Sequence, residues 1–150
     1  MARNTKGGNT WNKWQRFNGG AKKHIELYQD LYQSEQWQSL KPNSRLVLMA
    51  IIGNMGKHGG IGAERVICSY TDITEFTGIK YRRTIKRCLD ELVAYQFIEI
   101  ERGGICTTNG EQWKSNTYKL CDTWKNASIS KAKAELKKQK DRQEIKQLDD

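Results

Sequence analysis

The 150-residue chain contains one proline and two histidines, and it has no cysteine pair spaced C-x-x-C and no acidic residue in its first 23 positions. It also lacks any apolar run approaching the roughly 18 residues of a membrane span, and its start has no signal-peptide core, so a soluble, cytoplasmic protein is expected. Its length suits one domain. His24 and His58 are too few to complete a zinc module with Cys68, Cys88, Cys106 and Cys121 at their spacings. The cysteines read instead as small core or hairpin residues in a reducing compartment. Neither histidine has a neighbouring carboxylate or nucleophile motif, and the glycine pairs lack the spacing of a phosphate-binding loop. The expectation is a non-enzymatic protein with no metal and no cofactor.

What is abundant is positive charge, 26 Lys and Arg against 17 Asp and Glu, but it is unevenly placed. Residues 1–23 carry six basic and no acidic residues, residues 124–150 carry eight against five, and residues 24–123 hold twelve of each. The net charge of +9 therefore resides in the two ends, and it does not by itself choose a partner for the middle.

This division suggests three parts. Residues 1–23 read as a basic, flexible arm rich in Gly and Asn, interrupted by TWNKWQRF. In that insert Trp11, Trp14 and Phe17 fall three apart among Lys13 and Arg16, which predicts a short aromatic helix. It would dock on its own domain or a protein partner, or else stack on nucleic acid. Residues 24–123 form the folded domain, with Leu31, Trp37 and Leu40 as expected anchors and a central core helix over 42–56 opened by Pro42. Residues 124–150 read as a charged helical tail, whose apolar positions do not sustain a heptad; a homodimer through it is unsupported.

The densest pattern lies at 64–101. Val66 and Cys68 predict a short strand, and Ser69 predicts a helix cap with Asp72 in the first turn and Ile73 and Phe76 facing inward. Gly78 permits a tight turn. A second helix over 81–95 follows, its buried stripe made by Ile85, Cys88, Leu89, Leu92 and Val93 and its opposite side basic. From Phe97 the period changes to two, and NTYKL at 116–120 supplies a matching strand that buries Tyr118 and Leu120, with 103–115 as the tip of a hairpin.

Two short helices joined by a glycine turn and followed by a β-ribbon resemble a winged helix-turn-helix domain. Thr84-Ile85-Lys86-Arg87-Cys88-Leu89-Asp90-Glu91-Leu92 is similar to that family's Thr-Val-x-Arg-Ala-Leu-x-Glu-Leu run, and Phe97-Ile98 to the apolar pair opening its wing. Gln96 stands where the family usually has Gly, and Cys88 where it usually has Ala. Leu31, Ser34, Trp37 and Leu40-Lys41-Pro42 resemble the opening of winged-helix proteins encoded by phages, plasmids and mobile elements. The match spans residues 24–121. It implies an α+β fold, a small helical bundle with a two- to three-stranded β-wing, and a role in transcription regulation or replication initiation.

Lys80, Arg82, Arg83, Lys86 and Arg87 put five positive charges into eight residues with no acid before Asp90. A solvated helix face usually mixes signs, so a one-signed cluster on the second helix points to double-stranded DNA. Arg82, Arg83 and Lys86 are the base-edge candidates, and Lys80 and Arg87 the phosphate candidates. Tyr81 is either a base or sugar contact or a staple against the core. Arg102, Trp113 and Lys114 either touch DNA from the wing or belong to an ordinary solvent hairpin. Nucleoid association in a bacterial host would follow from the DNA reading. The rival expectation is a winged-helix interaction module, such as a phage-encoded inhibitor of a host protein or nucleoprotein complex, bound through the aromatic arm.

Overall fold

The structure is a computed structural model and describes residue 25 and residues 27–55, 65–108 and 111–148, with side chains described outside 102–108 and 111–115. The aromatic arm (Trp11, Lys13, Trp14, Arg16, Phe17), both histidines and the side chains of Arg102, Trp113 and Lys114 lie outside the described residues. The described chain is α+β: helices α1 (Gln29–Tyr32), α2 (Glu35–Ser39) and α3 (Pro42–Gly53), strand β1 (Arg65–Ile67), helices α4 (Tyr70–Thr77) and α5 (Arg82–Ala94), strands β2 (Ile98–Thr108) and β3 (Glu111–Leu120), a 3-10 turn (Thr123–Asn126) and helix α6 (Ile129–Leu148).

Pro42 stands at the first helical position of α3, where its missing N–H would have no intrahelical partner. Ser44, Val47, Leu48, Ala50 and Ile51 then recur at helical spacing as the buried face. At the far end Asn54 Nδ2 donates to Ile67 O at 3.2 Å and to Asp72 Oδ2 at 3.1 Å, tying α3 to β1 and to the start of α4. Asp72 also completes a capping box with Ser69: each side chain accepts from the other residue's backbone N–H, at 3.0 and 2.9 Å. Helix α4 ends on Gly78, whose φ of 77° is the left-handed conformation that lacks a steric penalty only for glycine.

Helix α5 buries Ile85, Cys88, Leu89 and Leu92 against α3 and the sheet. It closes in a Schellman arrangement: the Phe97 N–H donates to Leu92 O at 2.9 Å and the Gln96 N–H to Val93 O at 3.0 Å. Gln96 takes the left-handed position with φ 63°, so the chain turns as a glycine would turn it while carrying a side chain. Phe97 is thereby swung into the core, where its ring stacks on Trp124 at 5.6 Å.

The three strands form one antiparallel sheet in the order β1-β3-β2, with Tyr118 facing Val66 on one side and Ile100 on the other. Four sequence expectations are corrected. Phe76 does not turn inward: it is 48% exposed, resting on Gly53, where an added Cβ would lie 3.4 Å from its ring. Val93, at the edge of the apolar arc of α5, is 40% exposed. Most of 103–115 is paired strand and not hairpin tip, because β2 and β3 stay paired out to Thr108 and Glu111, with a register irregularity between Glu101 and Gly104. Leu120 is only partly buried, against fully buried Tyr118.

The segment after β3 is integral to the core. Trp124, Ile129 and Leu136 pack against it, Ala132 is buried, and Gln36 Nε2 donates to Ala127 O at 3.1 Å. Helix α6 then continues along α5 for 20 residues in all, exposed from residue 140 onward.

Candidate nucleic-acid interface

The glycine turn at 78 separates α4 from α5, and α5 turns its apolar stripe inward, so the positions between those of the stripe face solvent. Arg83, Lys86, Arg87 and Asp90 follow one another at i, i+3, i+4 and i+7 and occupy one face. Lys80, Arg82, Arg83 and Arg87 are exposed, Lys86 is half-buried, and Tyr81 is 76% exposed. That exposure is incompatible with Tyr81 as a staple against the core.

The cations are not equivalent. Lys86 Nζ lies 2.8 Å from Asp90 Oδ2, an i,i+4 pair that absorbs its charge. The Arg82 guanidinium sits 5.9 Å from the Tyr70 ring centroid, a cation–π contact that orients it from α4. Among the described residues Arg83, Arg87 and Lys80 have no ion-pair partner. This surface thus presents a guanidinium held by an aromatic ring, three cations with no ion-pair partner among the described residues, and one lysine already paired.

Two buried polar residues to which the sequence assigned no role of their own lie between α3 and α5. Glu91, 6% exposed, turns into the core side of α5, and its Oε1 accepts from the Lys41 N–H at 2.6 Å. A carboxylate at the start of α3 complements the positive end of that helix's dipole. The two stretches that carried the resemblance, Leu40-Lys41-Pro42 and Asp90-Glu91-Leu92, therefore meet. The available signal was a charged residue falling within the apolar arc of α5. Ser44, 1% exposed, has no hydrogen-bond partner for its hydroxyl, and its contact with the Cys88 thiol falls short of hydrogen-bond geometry.

Burial pushes the Cys88 thiol above its ordinary range, as it does the Tyr95 phenol, and the Glu91 carboxylate raises both further. A thiol held protonated is a poor nucleophile. Among the described residues no group of three or more His, Cys, Asp or Glu side chains could hold a metal ion. No described helix is long and apolar enough to cross a membrane.

Helix α6 adds a wall that no local pattern announces. Between it, α5 and the first turn of α3 runs a groove of about 900 Å³, with Lys41, Arg87, Lys133 and Lys137 among its lining and Leu136 and Tyr95 as apolar floor. Toward the start of α5 a smaller cleft of about 250 Å³ is lined by Arg83, Lys86 and Arg87 from α5 and by Gln143, Lys146 and Gln147 from α6. Family models, curated proteins and solved structures, compared with this chain, return no match.

Proposed function

We propose that this chain is a winged-helix protein that binds double-stranded DNA through the exposed face of Arg82–Ala94. The observation that carries the reading is the one-signed surface formed by Lys80, Arg82, Arg83 and Arg87, with Asp90 engaged by Lys86 and Glu91 turned inward. Support for the fold name comes from the order helix, β1, helix, glycine turn, helix, β2, β3 and from the strand order β1-β3-β2. In that arrangement the helix after the turn enters the major groove, where residues near its start reach base edges. Arg83 and Arg82 are the base readers, since a guanidinium can bind guanine O6 and N7 together. Lys80 and Arg87 contact phosphate. Lys86 joins the base readers once DNA competes with Asp90 for its ammonium group. The biological setting is regulation of transcription or initiation of replication on a phage or other mobile element, a reading carried by the family resemblance of residues 24–121.

The test is the salt dependence of duplex binding by the full chain. Two phosphate contacts predict a log–log slope of about −2 or steeper, at roughly 0.9 per phosphate. A flat response would overturn the proposal and move the choice to the protein-interaction module.

A further inference from the structure

The small cleft between α5 and α6 differs from the rest of the surface in composition. Its six lining side chains are two arginines, two lysines and two glutamines, and none is acidic. All six can donate hydrogen bonds, and the guanidinium and ammonium groups offer only donors. Among the described residues, two acids on these helices are engaged by lysines: Asp90 holds Lys86 at 2.8 Å, and Glu144 is 3.8 Å from Lys140. Three formal positive charges, Arg83, Arg87 and Lys146, therefore line it from two helices, and none of them has an ion-pair partner among the described residues. Left empty, that junction is self-repelling. An anion placed in it would relieve the repulsion and satisfy the donors together. The cleft, about 250 Å³ and open to solvent, gives a phosphate group access to these donors.

We infer that this cleft is a phosphate cradle in which the DNA backbone is gripped by α5 and α6 together, with Arg87 and Lys146 as its cationic jaws and Gln143 and Gln147 as neutral donors. The inference rests on the DNA-binding reading above and adds to it: α6 becomes a second DNA-contacting element fixed by its packing on α5. Arg83 and Lys86 border the cleft and keep their base-edge role. A phosphate held from both helices also sets how far α5 can sink into the groove, since backbone contacts determine register. The cradle is blind to sequence.

The experiment compares wild type, Lys146→Ala and Lys138→Ala, all as the full chain, on one preferred and one scrambled duplex between 50 and 200 mM salt. Lys138 is exposed on the same helix and lines neither the groove nor the cleft, so it matches the charge change without the site. Losing one phosphate contact lowers the log–log slope by about 0.9, so the wild-type advantage over Lys146→Ala shrinks about 3.5-fold across that fourfold salt range. Equal loss on both duplexes, with Lys138→Ala unchanged, is the expected result. Thermal unfolding without DNA supplies a second readout: Lys146→Ala unfolds close to wild type, because relief of the repulsion from Arg83 and Arg87 offsets the loss of a cation from the last turn of α6. An unchanged slope for Lys146→Ala overturns the cradle and leaves the DNA reading standing. So does an equal drop for both variants, which would signal diffuse attraction, or a loss confined to the preferred duplex, which would make Lys146 a base contact. Failure of wild type to bind either duplex overturns the cradle and the DNA reading together.

Discussion

Glu91→Ala removes the acceptor that joins α5 to the start of α3. In the native protein Glu91 Oε1 takes the Lys41 N–H at 2.6 Å with the side chain 6% exposed, so the bond is short, charge-assisted and mostly shielded. A hydrogen bond to a charged group contributes about 1.5–3 kcal/mol, and a carboxylate at a helix start adds roughly 0.5 kcal/mol. The Lys41 N–H, left unpaired beside Pro42, recovers part of this from water in the adjoining groove. A net loss of about 2 kcal/mol follows, which for a chain of this length lowers Tm by about 4–8 °C. Glu91→Gln keeps a carbonyl oxygen at the same place and is expected to cost about 1 kcal/mol. Urea and thermal unfolding followed by circular dichroism would measure both. If Glu91→Ala lies within about 0.5 kcal/mol of wild type, the contact is a bystander and the reasoning is wrong. If Glu91→Gln is as damaging as the alanine variant, charge and not hydrogen bonding holds the junction.

Further outcomes follow from other parts of the structure. Gln96→Gly should raise stability by about 0.5 kcal/mol, the left-handed penalty of roughly 1–2 kcal/mol being offset in part by glycine's greater freedom when unfolded; a lower Tm would show that the Gln96 side chain contributes contacts worth more than its strain. Stability should be level through neutral pH and fall under alkaline conditions. Burial raises the Cys88 and Tyr95 ionisations in the folded state, so the unfolded chain gives up its protons first, from about the ordinary thiol value of 9.0 and phenol value of 10.0 upward. Cys88→Ala should remove the thiol's share of that loss, and an onset unchanged in this variant would show that other groups cause it.

Much of this architecture was legible because local chemistry and tertiary demand agree. Pro42, the Ser69–Asp72 pair and Gly78 mark element boundaries by their own backbone requirements, and the helices fall where they indicate. The inward stripe of α5 was legible at its centre and failed at its edge, since helical spacing defines an arc whose rim, Val93, is buried or exposed according to what lies opposite. Phe76 failed for a related reason: Gly53 leaves a shallow seat, and the ring lies on it without being covered. The long hairpin had a signal that was passed over, the Asn109-Gly110 dipeptide between paired Thr108 and Glu111, which two-residue hairpin connections favour. The cleft residues of α6 were illegible in principle. Gln143, Lys146 and Gln147 acquire meaning only from the register of that helix against α5, which Ala132 and Leu136 determine several residues away.

The central claim, that the face of α5 reads duplex DNA, is tested most directly by selection from a random duplex pool with the full chain, run in parallel with Arg83→Ala. Wild type is predicted to enrich a defined site containing a guanine step, and Arg83→Ala, with circular dichroism unchanged, to retain binding while losing that enrichment. Failure of wild type to enrich any site, or the same site enriched equally by Arg83→Ala, would contradict the account.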